Sequence, residues 1–94
     1  MSKTPKVLII DDVADNRRLL AKTIRDNTRY EVMLASEGSA ALDVIGRNPP
    51  DLILLDIMMP QMDGFEVARE LKSNPQTSDI PILFITALTD IEGI

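Results

Sequence analysis

Ninety-four residues, 45% of them hydrophobic, make one domain and exclude both two domains and a disordered chain. The net charge of −5 and an aromatic content of 3% argue against direct binding to nucleic acid. With no cysteine and no histidine, disulfides, cysteine zinc sites and Ser-His or Cys-His nucleophile pairs are all excluded.

The first residues, Met1 to Lys6, are followed by an apolar run of only four, too short for a signal-peptide core. No apolar run is longer than four, so no membrane span is expected and a cytoplasmic protein is the simple reading. Lys6 to Asp11 reads as a buried strand, β-branched and apolar on both faces. Asp15 to Asn27 reads as a helix with Leu19, Leu20 and Ile24 inward and Arg17, Arg18, Lys22 and Arg25 in water. Tyr30 to Ala35 is a second strand, less apolar and nearer an edge. Ser36 is the expected N-cap of a second helix, whose inner face is Ala40, Ala41, Val44 and Ile45. Gly46 weakens its end.

Pro49-Pro50 punctuates the chain before the strand Leu52 to Asp56. Asp63 is placed to cap a third helix, Gly64 to Ser73, with Phe65, Ala68 and Leu71 on its inner side. After a polar, proline-punctuated loop, Ile82 to Thr86 is a fourth apolar strand. Strands alternating with helices imply a parallel sheet covered on both faces, with right-handed crossovers. The fold class is α/β.

In such sheets ligands bind beyond the carboxyl ends of the strands. Asp11, Asp12 and Asp56 all fall there. At ~4 Å, two unit charges repel by roughly 4 kcal/mol at an effective dielectric of about 20, so a hard divalent cation is the natural neutraliser. Asp56 suits a nucleophile that attacks phosphorus, and also a simple strand end. Asp11-Asp12 suits Mg2+, one acid binding directly and one through water, because adjacent strand side chains point apart. It equally suits a helix cap or a solvated turn. Thr86 ends its strand at the same edge, where a hydroxyl reaches a phosphate oxygen or simply terminates the strand. No GxGxxG or GxxxxGK[ST] motif is present, which disfavours nucleotide binding of those kinds.

Taken together, Val7-Leu8-Ile9-Ile10-Asp11-Asp12, Leu54-Leu55-Asp56-Ile57-Met58-Met59-Pro60, Met62-Asp63-Gly64 and Pro81-Ile82-Leu83-Phe84-Ile85-Thr86-Ala87 resemble a response-regulator receiver domain of two-component signalling. The resemblance covers nearly the whole chain. It implies a flavodoxin-like doubly wound sheet of strand order 2-1-3-4. It makes Asp56 the acceptor of phosphate from a partner histidine kinase or phosphotransfer protein. Asp11, Asp12 and Asp56 become Mg2+ ligands, together with the Met58 backbone carbonyl, and Thr86 the hydroxyl that meets the phosphoryl group. The domain is then regulatory rather than an enzyme.

The family pattern continues past Ile94 with a fifth strand ending in lysine and with further helices. Residues 1–94 are therefore expected to form a single, C-terminally incomplete receiver domain. Lys72, on the third helix, is not a substitute for that lysine. A fourth strand apolar on both faces, left at the sheet edge, is expected to favour self-association. Two other readings are a receiver-like interaction module that accepts no phosphate and a haloacid-dehalogenase-type phosphatase. The latter wants a second Asp two positions after the nucleophile, where this chain has Met58.

Overall fold

A computed structural model describes residues 4–85, so the expected Thr86 contact lies outside the described residues. Seven elements alternate along the chain: β1 (Lys6–Ile10), α1 (Ala14–Asn27), β2 (Glu31–Ala35), α2 (Gly38–Arg47), β3 (Leu52–Asp56), α3 (Gly64–Ser73) and β4 (Ile82–Ile85). The four strands form one parallel sheet in the order β2-β1-β3-β4, the arrangement expected of a flavodoxin-like fold.

Successive side chains of a strand point to opposite faces, and the central strands build two cores this way. Leu8 and Ile10 of β1 join Ile53 and Leu55 of β3 on the side covered by Ala41 and Ile45 of α2 and Val67 and Leu71 of α3. Val7 and Ile9 face the opposite way, with Leu54, against Ala21, Leu20 and Ile24 of α1. Burying one such aliphatic side chain fully contributes about 1.5–3 kcal/mol, so the central pair of strands is the rigid part of the molecule. The register sets Ile10 opposite Leu55, which places Asp11 and Asp56 side by side at the carboxyl edge.

The inner faces of the helices differ in detail from the sequence expectation. Leu19 is half-exposed, and the small Ala21 fills the position facing β1 instead, since α1 lies close to the sheet. On α2 the buried residues are Gly38, Ala41 and Ile45, while Ala40 is exposed. Its N-cap is Glu37 rather than Ser36, and no side-chain cap bond forms. On α3 the buried stripe is Gly64, Val67 and Leu71, at spacings of three and four. Phe65, one position off that stripe, is 53% exposed and stacks at 5.2 Å, centroid to centroid, on Phe84 of β4. The expected Asp63 cap is present as a full capping box with Glu66. No helix among the described residues is long and apolar enough to cross a membrane.

Candidate phosphoacceptor and metal site

Each acid of the sheet edge is fixed by the turn that follows it. The Asp11 N–H donates to Ala35 O at 3.2 Å, extending the pairing with β2 by one residue. Its carboxylate Oδ1 accepts from the Val13 N–H at 2.9 Å, a turn that leads into α1. Neither acid caps α1: its N-cap is Val13 with no side-chain cap bond, and Asp11 braces only the turn before it. Asp56 repeats the device: its Oδ1 accepts from the Met58 N–H at 3.2 Å.

The loop after Asp56 is held from both ends. The Ile57 N–H bonds to Ile85 O at 3.2 Å, and Ile57 O accepts from the Gly64 N–H at 3.0 Å. The first turn of α3 therefore lies directly on the peptide that follows Asp56. A Cβ on Gly64 would sit 2.3 Å from Asp56 O, so only glycine fits. Between these anchors the chain turns tightly, with the Met62 N–H on Pro60 O at 2.8 Å across Gln61. Gln61 has φ 68°, a left-handed conformation that costs a non-glycine residue of order 1 kcal/mol. In the sequence Asp63-Gly64 reads chiefly as helix initiation. The signal for the close approach was a glycine at the first position of a helix that begins beside a strand-end acid.

The three expected acids come together. Asp11, Asp12 and Asp56 each offer a carboxylate oxygen, all within 4.8 Å of one another. Asp11 and Asp56 are 1% and 2% exposed, whereas Asp12 is open to solvent. Burial above all, and then the charge of Asp11, push the Asp56 acid up from 3.8 to about 6. The Met58 N–H opposes this, and Asp12 adds to it. Among the described residues no lysine or arginine pairs with any of the three; the ion pairs lie on the helices. Lys72 is committed elsewhere, its Nζ donating to Ser78 O at 3.0 Å. Two buried carboxylates and an open one, converging with no ion pair to any of them among the described residues, form a donor set that fits a hard divalent ion such as Mg2+. The Met58 side chain is 70% exposed and lines, with Ile57, Met59, Pro60, Asp63 and Phe65, an open cavity of about 530 Å³ beside this cluster.

Arg17 departs from expectation. Its helix-surface position predicts water, but it is half-buried and its Nη1 donates to Asp11 O at 2.6 Å.

The chain and its fold have counterparts among known proteins. The chain is 48% identical over 83 residues to the response regulator PleD of Caulobacter vibrioides, covering 88% of this chain and 18% of that protein. The N-terminal domain of a response regulator receiver protein from Methanoculleus marisnigri JR1 superposes with a TM-score of 0.83 at 36% identity, over 87% of this chain and 66% of that one. The Mn2+-bound form of response regulator Rcp1 superposes with a TM-score of 0.81 at 28% identity, over 94% and 71% of the two chains. The chain spans 18–34% of the length of the curated relatives it matches here. A model of the response regulator receiver domain matches residues 7–94, and the chain belongs to that family, the regulatory receiver domains of two-component signalling.

Proposed function

We propose that Asp56 accepts a phosphoryl group from the phosphohistidine of a partner histidine kinase or phosphotransfer protein. Asp11, Asp12, Asp56 and the Met58 carbonyl would hold Mg2+, which supplies positive charge to the phosphoryl oxygens when bound. The observation that carries this reading is Asp56 itself: a buried strand-end carboxylate crowded by two others, with no cation paired to any of them among the described residues. That arrangement is costly unless a charged ligand uses it. That response regulator Rcp1, similar in fold, has a Mn2+-bound form supports a divalent cation here.

In the transfer a carboxylate oxygen of Asp56 bonds to phosphorus as the phosphorus–nitrogen bond breaks. The electron pair returns to the donor imidazole, which takes up a proton. The chain needs no histidine of its own, since the donor supplies one in trans. An acid at about 6 leaves roughly nine-tenths of Asp56 ionised and nucleophilic at pH 7. The Met58 N–H, which donates to Asp56 Oδ1 at 3.2 Å, orients it.

Acetyl phosphate or beryllofluoride with Mg2+ tests this. A mass gain or spectral shift that disappears in Asp56→Asn supports phosphoacceptance. No change in the wild-type chain, or a change that survives Asp56→Asn, favours the interaction module instead. On the same reading the chain works in the cytoplasm, where it meets its phosphodonor. A second copy of the chain is the proposed partner at β4, where Leu83 and Phe84 are 58% and 41% exposed. A concentration-independent monomer in sedimentation velocity would remove that part.

A further inference from the structure

Adjacent arginines of α1 behave differently. Arg18 reaches into solvent with its side chain 75% exposed and meets Asp15 at 3.7 Å. Arg17 folds back across the helix start, six residues, to the carbonyl of Asp11. A guanidinium donating to a carbonyl at 2.6 Å makes a charge-assisted bond, stronger than a neutral one. With this contact, the N–H, the carboxylate and the carbonyl of Asp11 are all held, by Ala35, Val13 and Arg17. The carbonyl is half of the peptide that carries Asp12. Fixing that peptide plane fixes where the Asp12 Cα, and hence its exposed carboxylate, stands relative to Asp56.

We propose that Arg17 is a positioning residue for the divalent cation: its bond to the Asp11 carbonyl sets the Asp11-Asp12 peptide so that both acids face the ion together with Asp56. This rests on the metal reading of the three acids given above. Two effects of Arg17 oppose each other. Its positive charge, close to the acids, repels a divalent cation, while its bond preorganises the ligands. The proposal states that orientation wins, so losing the bond weakens cation binding even though a positive charge is lost with it.

Mg2+ titrations of the whole chain, followed by calorimetry and by the amide resonances of residues 11–13, read the outcome. In R17M, which keeps the apolar stem and loses the donor, Mg2+ affinity is expected to fall about tenfold, the scale on which outer supports of metal ligands act. R17K keeps one donor and the charge, and recovers most of the loss. R18M serves as the neighbouring control and leaves affinity unchanged. Equal or tighter binding by R17M overturns the proposal, as does an R17K that binds no better than R17M. Circular dichroism in parallel guards the comparison: unfolding of either variant makes Arg17 a folding residue and overturns it too. Wild-type chain that binds no Mg2+ sinks the metal reading and this inference with it. Wild-type binding that R17M leaves intact sinks the Arg17 inference alone.

Discussion

The surface of the helices and the carboxyl edge of the sheet treat acidic residues in opposite ways. On the helices, Asp15, Asp26 and Asp43 each pair with an arginine or lysine three or four residues away, and every partner is more than half exposed. Such pairs contribute about 0–1 kcal/mol each, and the chain loses little without them. At the sheet edge Asp11 and Asp56 are buried and lie within reach of Asp12, and their carboxylates form no ion pair among the described residues. Placing charge where it is cheap gives a soluble surface. Holding it where it is costly makes a candidate site, because a positive charge arriving there relieves the strain.

The largest expected effect comes from breaking the frame around the costly acids. Gly64→Ala puts a methyl group 2.3 Å from the Asp56 carbonyl, against backbone that cannot swing aside. Separating α3 from the Asp56-Ile57 peptide is expected to cost about 3 kcal/mol in urea unfolding and to abolish Mg2+ binding. An Ala variant of full stability would show that α3 does not rest on that peptide.

Removing the cost itself acts in the other direction. The folded-state acid of Asp56 lies above its unfolded value of 3.8, at about 6. The folded chain therefore holds its proton more tightly, and the stability this brings is present below about pH 4 and lost as pH rises through 6. Asp56→Asn is expected to stabilise the metal-free chain by about 2–3 kcal/mol at pH 7, since one pK unit corresponds to about 1.4 kcal/mol. The gain shrinks toward zero as pH falls to 4. Millimolar Mg2+ raises the wild-type midpoint and leaves the Asn variant where it was. Thermal melts across pH 4–7.5 check both halves, and a pH-independent difference would mean that Asp56 is not strained by its neighbours.

Much of this contrast was legible in the sequence. Strand-end acids after Val7–Ile10 and Leu52–Leu55 located the acid cluster, because four-residue apolar runs between helical patterns leave few alternatives to a parallel sheet. Asp63 announced its cap, since an acid three residues before Glu66 makes a capping box by local geometry alone. What the sequence did not disclose depends on packing distance. Val67 displaced Phe65 from the core because the rotation of α3 is fixed by Gly64 lying on the Asp56 peptide. Ala21 displaced Leu19 because α1 approaches β1 closely. Arg17 reads as a wet helical arginine beside Arg18, and only the folded turn at Asp11 brings a carbonyl within its reach.

The cheap side of the comparison predicts small numbers. Gly46, exposed on α2, has open space around the position of a Cβ, and no glycine among the described residues has a positive φ. Gly46→Ala is thus expected to stabilise by about 0.5–1 kcal/mol through helix propensity, with Mg2+ affinity unchanged.

Smallest of all is the Lys22–Asp26 pair. Its 2.6 Å contact looks strong, but both side chains are more than half exposed and water competes for each. A double-mutant cycle with Lys22→Ala and Asp26→Ala is expected to give a coupling of about 0.3–0.5 kcal/mol, falling further in 1 M salt. The Asp26 change should leave Mg2+ binding untouched, although it removes the same charge as Asp56→Asn. Equal effects of the two substitutions on stability or on cation affinity would mean that net charge governs both, and that the buried edge is no different from the helical surface.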